Sequence, residues 1–471
     1  MGKVDLAIKS KNIFVDNRLM DCWIGVKKGK IVYISAEKNN HADKILDFGD
    51  KYVLPGGIDP HVHLRDYENL SDNDEIALLS ENFTTVTMAA AAGGVTTVIA
   101  MPIRIPPPYS AEIVKRRMNR AQKRIVVDMA FFGGAGSDHL DEIIPCSKSG
   151  IVAFKTFLHE APEGRQKDYE GMTAPQDGDL YEVMQRIAKT GILGAFHAEN
   201  NHLIKNIMKR FIEEGKISPI DHVKSRPPVA EIESTSTILL FAEELGLRVQ
   251  LCHISTSRAV ELVNMAKRKG VKAFVETCPQ YLVLDEEYLN QYGVYAKCNP
   301  PLRSKEEVRR MWEMVNNGSI DTIASDHAPQ SAREKEKGKE NIFKSPSGLP
   351  GIEQRLPLLF TKVKEGKLKL DRMIELICTN PSKIFGLYPQ KGTIGVGSDA
   401  DFVIIDPDKK DIIDRKKMFT AVKEAARVYE GMEVYGTPET TIVRGNTVYN
   451  HGEILTEPGY GHIVKPIDWK E

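Results

Sequence analysis

Residues 53–63 read VLPGGIDPHVH, a short β-type run that closes on two histidines. Seven runs of the same style follow: GVTTVIAM (94–101), RIVVDMAFF (124–132), IVAFKTFL (151–158), ILGAFHA (192–198), RVQLCHIS (248–255), KAFVETC (272–278) and DTIASDH (321–327). Each is short, rich in β-branched or aromatic residues and apolar on both faces, as suits strands buried in a parallel sheet. Helical patterns stand between them at 80–92, 111–123, 179–189, 231–245, 257–269 and 305–317. Strand then helix, repeated around eight strands, predicts an α/β fold, a (β/α)8 TIM barrel. The crossover after the fifth strand is long enough for an extra helix at 202–214.

The two ends of the chain read differently. Residues 3–52 hold short alternating strands with turns, and residues 393–450 return to that style with ADFVIIDP and TIVRGNTVYN. Such ends are expected to join as one small β-sandwich domain, 1–53 with 391–471, around a barrel at 54–390. Residues 451–471 lack periodicity and are expected to pack on a neighbour. The charged stretch AREKEKGKE (332–340) reads as a solvated loop or fraying helix.

Across 471 residues, 64 Lys and Arg balance 65 Asp and Glu, so the net charge is −1. That balance argues against nucleic-acid binding as the main role. With 41% apolar and 27% charged residues, the chain is not a disordered polyelectrolyte. No run of about 18 apolar residues is present, so no membrane span is expected. The start lacks the basic and apolar regions of a signal peptide, and six cysteines without paired spacing suit reduced thiols in a cytoplasm.

In a (β/α)8 barrel the functional side chains stand at the carboxyl ends of the strands. The first run ends in His61 and His63, which share one face at i and i+2. Lys155 lies in the fourth run, His197 ends the fifth, and His253 and Asp326 lie near the ends of the sixth and eighth. This is a metal-type ligand set. Singly, each has a plainer explanation: a strand histidine is often a hydrogen-bonded core residue, and a strand-end aspartate often caps a helix. Buried together without a cation, they would leave many polar groups unsatisfied.

PGGIDPHVHLR at 55–65 resembles the metal motif of the cyclic amidohydrolases, the group of dihydroorotase, allantoinase and hydantoinase (dihydropyrimidinase). FK (154–155), HAEN (197–200), HIS (253–255), ETCP (276–279), NPPLR (299–303) and SDHAP (325–329) match in order, and the likeness runs from about residue 5 to about residue 450. The resemblance implies a hydrolase with two divalent metal ions, Zn2+ being the expected one. His61, His63 and Asp326 would hold one ion, and His197 and His253 the other. Lys155, as N6-carboxylysine, would bridge them. A lysine ammonium carries donors only, whereas a carbamate offers two anionic oxygens able to span metals about 3.5–4 Å apart. A metal-activated water would then open a cyclic amide or ureide, with Asp326 as general base and then acid. The resemblance also implies a homodimer or homotetramer.

Signals for the substrate diverge. Arg65 is the dihydroorotase-like choice, a forked donor for a substrate carboxylate, and Asn299 fits the same substrate group. Dihydroorotases usually follow strand two with Met-Pro-Asn, where this chain has Met101-Pro102-Ile103-Arg104, and Gln330 stands where a histidine is expected. Hydantoinases carry a tyrosine five residues after the bridging lysine, and here that residue is Glu160. FFGG (131–134), AKCNPPLR (296–303) and GLPGIE (348–353) look allantoinase-like, but allantoinases lack the arginine at position 65. Gly348 and Leu349 are expected to offer backbone groups to the ring amide, and the loop at 158–173 to act as a lid. His159 reads as a surface-loop residue. Two rivals stand beside the hydrolase: a non-catalytic assembly protein of the same fold, and an amidohydrolase for a different amide. All six ligand positions being present argues against the first.

Overall fold

The computed structural model describes residues 2–37, 41–66, 80–103 and 105–469, so Arg104 lies outside the described residues. The chain opens with β1 (Val4–Val15), β2 (Arg18–Lys27), β3 (Lys30–Ser35), β4 (Ala42–Asp47) and β5 (Tyr52–Pro55). Positive-φ pairs, Asp16-Asn17 and Lys28-Gly29, turn the first two hairpins, the conformation that matches strand twist in two-residue loops. β1 changes register between Ser10 and Ile13. Its first half pairs with β4 and its second half with β5. Ser10 pins the bend by donating to the Lys51 carbonyl at 2.6 Å.

The barrel strands are β6 (Gly57–Val62), β7 (Val95–Ala100), β8 (Asp128–Gly134), β9 (Ala153–Phe157), β10 (Leu193–His197), β11 (Val249–Leu251), β12 (Ala273–Thr277) and β13 (Thr322–Ile323). They are parallel and adjacent in chain order, one from each of the eight expected runs. Between β13 and β6 no regular ladder forms. That seam is closed by the His63 amide on the His327 carbonyl at 2.8 Å. The buried Arg355 reinforces it, donating to the carbonyls of Ile58 at 2.8 Å and Ile323 at 3.1 Å.

Helices Phe83–Ala92, Ala111–Gln122, Asp177–Ala188, Pro228–Leu245, Ser257–Arg268 and Lys305–Asn316 fall where the periodicity places them, and Asn201–Glu213 is the extra helix after β10. Their starts are local: Asn82, Asn200 and Ser304 side chains accept from first-turn amides.

β14 (Phe402–Ile405), β15 (Lys410–Ile412), β16 (Glu433–Tyr435), β17 (Pro438–Val443), β18 (Asn446–Asn450) and β19 (Glu453–Ile454) complete the strands. β14 pairs antiparallel with both β5 and β17, which joins the chain ends into one nine-stranded sheet, the terminal β-sandwich. A buried ion cluster ties this sheet to the barrel. Lys391 Nζ reaches Asp401 at 2.8 Å, Asp399 at 3.0 Å and Asp128 at the start of β8.

Residues after 451, expected to pack on a neighbour, find partners within their own chain. They run along their own barrel, with the Val464 amide on the Met129 carbonyl at 2.8 Å and Trp469 Nε1 on the Lys148 carbonyl at 3.3 Å. The stretch 332–340, expected to be solvated, is not wholly so. Ser331 caps a helix at Ala332–Glu336, and Lys335 is fully buried with its ammonium on the carbonyls of Val294 and Lys297. A charged run hides such an inward lysine because alternating signs look the same whether a side chain meets water or backbone carbonyls.

Candidate metal centre and its pocket

The ends of β6, β9, β10, β11 and β13 bring all six predicted ligands to one barrel mouth. Nε2 of His61 and of His63 lie 3.3 and 3.5 Å from Asp326 Oδ1. His61 Nδ1 meets the buried Glu276 carboxylate at 2.6 Å, which orients the ring so that Nε2 faces Asp326. On the other side, His197 Nδ1 faces His253 Nε2 at 3.0 Å while His197 Nε2 is held by Glu199 at 3.0 Å. Arg226 in turn holds Glu199. Such outer carboxylates fix the tautomer and aim of metal-binding imidazoles.

The electrostatics suit a cation. Burial holds His63, His197 and His253 well below the ordinary histidine range, with the Lys155 charge acting in the same sense. They are therefore neutral at pH 7, the state in which an imidazole can bind a metal ion. Burial pushes the Asp326 carboxyl up to about 6. Lys155 Nζ is buried and has no hydrogen-bond partner, and Nδ1 of His63 and of His253 are likewise unpartnered. Two imidazole Nε2 atoms converging on one carboxylate, a second pair of imidazoles facing each other and a buried lysine nitrogen without a hydrogen-bond partner form a donor set that two cations and a carboxylated lysine would fit. His253 (φ 40°) and Asp326 (φ 44°) both adopt left-handed backbone, a strain that clusters at functional sites.

Glu276 was not singled out from sequence, although a carboxylate inside the apolar run KAFVETC is the signal that could have found it. It accepts from His61, from Gln250 Nε2 at 2.7 Å and from the His253 amide at 3.0 Å, coupling three strands. Glu276→Gln is expected to weaken metal affinity by about 10–100-fold. Chelator competition measures this, and an unchanged affinity would remove Glu276 from the support of the centre.

Above the predicted ligands opens a cleft, open to solvent at its mouth. Arg65, Asn299 and Gly348 line it, while Leu349 does not. Leu349 is buried, and its carbonyl accepts from the Ala328 amide at 2.9 Å. Arg65 is already engaged: Nη1 donates to Glu334 at 2.5 Å and Nη2 to Gln330. The Asn299 amide is satisfied when its oxygen accepts from Arg226 at 3.2 Å and its nitrogen donates to Ser347 Oγ at 3.0 Å. Gly348 has φ 136°, and a Cβ there would meet the Ala328 carbonyl at 2.3 Å, so only glycine fits. Glu160 points away to Lys205 at 2.7 Å. His159 is not a surface residue as expected: it lines the cleft with its ring 5.1 Å from that of His197. Burial pushes it down to about 4. Arg165 and Tyr169, from the same loop, complete that wall.

The amidohydrolase family model matches residues 52–448. The L-hydantoinase of Paenarthrobacter aurescens is 35% identical over 462 residues, covering 98% of this chain and 98% of that protein. The allantoinase of Bacillus licheniformis is 33% identical over 463 residues, covering 98% and 99%. Among solved structures, an L-hydantoinase (dihydropyrimidinase) from Arthrobacter aurescens superposes with a TM-score of 0.92 at 35% identity, over 98% of this chain and 100% of that one. From this match, which spans the barrel and much of the terminal sheet, the chain belongs to the amidohydrolase family.

Proposed function

We propose that this protein opens the ring of a cyclic amide or ureide by hydrolysis, using two divalent metal ions. The observation that carries this is the meeting of four imidazoles, three of them buried, with a buried lysine lacking a hydrogen-bond partner and one carboxylate at the barrel mouth. His61, His63 and Asp326 would hold one ion, His197 and His253 the other, and Lys155, as N6-carboxylysine, would supply oxygen ligands to both. Zn2+ is the expected metal. When bound, such ions polarise the ring carbonyl and acidify a water molecule.

Asp326 would act as the general base and then acid, taking a proton from the attacking water and returning it to the leaving ring nitrogen. A buried carboxyl near 6 is suited to both halves of this transfer close to neutral pH. Its neighbour His327 holds the backbone in place: Nδ1 accepts from the Gly351 amide at 3.2 Å and Nε2 donates to Glu81 at 3.2 Å. Arg65, Asn299 and Gly348 are proposed to shape the substrate end of the cleft. A substrate carboxylate approaching Arg65 would compete with Glu334. The enzyme is proposed to work as a homodimer or homotetramer in the cytoplasm, where its six buried cysteines stay unpaired.

The test is a panel of allantoin, dihydroorotate, hydantoin and dihydrouracil offered to metal-loaded protein, with ring opening followed directly. Turnover of one or more is expected. Protein that binds about two metals per chain and opens none of these rings would overturn the proposal in favour of a different amide. Protein that binds no metal would favour the non-catalytic rival.

A further inference from the structure

Among the described residues, two guanidinium groups line the cleft, in different states. Arg65 has one terminal nitrogen on Glu334 and the other on Gln330. Arg165 is held only at its root: Nε donates to Asp168 at 2.6 Å, and the guanidinium lies 5.3 Å from the centre of the Tyr169 ring. Its terminal nitrogens Nη1 and Nη2 carry no partner among the described residues, although the side chain lines the cleft and is only 27% exposed.

The loop that carries it is braced. The Phe157 amide and carbonyl pair with Met172 and Ala174 at 2.9 Å each. The Arg165 amide closes a turn on the Pro162 carbonyl at 2.9 Å. Gly171 (φ 69°) lies so close to Tyr109 that a Cβ would sit 2.4 Å from that side chain, and its amide donates to Asp138 at 2.9 Å. A pair of parallel donors presented by a braced loop binds a planar anion at low ordering cost.

Resting on the proposed ring-opening activity, we infer that Arg165 selects substrates whose ring substituent ends in a carboxylate. The chemical class is a cyclic ureide with an anionic side arm, gripped through both terminal nitrogens of Arg165. Asp168 locks the guanidinium by its Nε edge, which leaves the Nη edge for the substrate. Arg65 stays with Glu334 and forms a neutral part of the wall.

The experiment compares two rings of equal shape, 5-(2-carboxyethyl)hydantoin and its carboxamide, 5-(2-carbamoylethyl)hydantoin. The metal-loaded wild-type protein is expected to favour the carboxylate by about 10–100-fold in kcat/KM, the range of one or two charge-assisted hydrogen bonds. In Arg165→Met the preference is expected to fall to near unity, and in Arg165→Lys to an intermediate value. Because each ratio is taken on one preparation, losses of folded or metal-loaded protein cancel. A wild-type protein without the preference, or an Arg165→Met protein that keeps it, overturns the role of Arg165 and leaves the ring-opening activity standing. A wild-type protein that opens neither ring, nor any of the simpler ureides, overturns both.

Discussion

Lys155→Ala is expected to lose bound metal and ring-opening activity together, with turnover down by at least about 10^3-fold, equivalent to about 4 kcal/mol of lost transition-state stabilisation. Lys155 stands in β9, fully buried, with no hydrogen-bond partner for Nζ and the Phe157 ring 5.1 Å away. As a plain ammonium it would add a positive charge beside the imidazoles proposed to bind metal and repel the cations they would hold. As a carbamate it adds oxygen ligands and a negative charge. Alanine removes both forms, so metal content per chain and kcat should fall in parallel. Folding is a separate matter. Deleting an unpaired buried lysine removes a desolvation cost, which offsets much of the cavity left behind. The apo variant should therefore melt near the apo wild type. Short carboxylates such as acetate or propionate fit the vacated space and are expected to restore part of both metal content and rate. A variant that keeps two metals and full turnover would end the bridging role.

Much of this centre was legible before any coordinates because its residues interrupt apolar runs. His61, His63, Lys155 and His197 are polar positions in strands otherwise buried on both faces. His253 and Asp326 were legible as residues, but their effect on the backbone was not. Their left-handed conformation helps end the regular ladders early, so β11 and β13 have three and two residues where the sequence runs suggest seven or eight. The cleft wall was legible least. Arg165 and Tyr169 sit in a stretch of glycines and charges whose path depends on Tyr109 and Asp138, far away in sequence. Lys335 was hidden for the related reason that its carbonyl partners come from two other loops. Pairings across hundreds of residues leave no local periodicity, and the cluster around Lys391 is the extreme case: it joins residue 128 to residues 391–444.

That cluster carries the largest expected effect on stability. Lys391→Met should lower the unfolding free energy by about 3–5 kcal/mol, the cost of breaking a buried pair and leaving its partner charged. Three carboxylates face Lys391, and all are buried: Asp128, Asp399 and Asp401. Arg444 also serves Asp128, and Lys30 reaches Asp399 at 2.7 Å. Asp401 has no other side-chain cation, only the Arg444 amide at 2.8 Å, and burial already raises its carboxyl above the usual range. Without Lys391 its folded pKa must climb further. A raised carboxyl pKa means the folded chain binds more protons than the unfolded one. Stability is then fully present below the unfolded value of about 3.9 and is lost as pH rises through the folded value. The gap between wild type and variant in a denaturant titration should accordingly be widest at neutral pH and narrow toward pH 4. Asp401→Asn added to Lys391→Met should recover part of the loss, since it removes the charge left unpaired. A gap independent of pH, with no recovery in the double variant, would show that lost packing, not charge, dominates. Asp128 begins β8, whereas the ligands stand at the opposite, carboxyl ends of the strands. Metal content per folded chain should therefore be unchanged in Lys391→Met, separating what holds the barrel to its sheet from what the barrel does at its mouth.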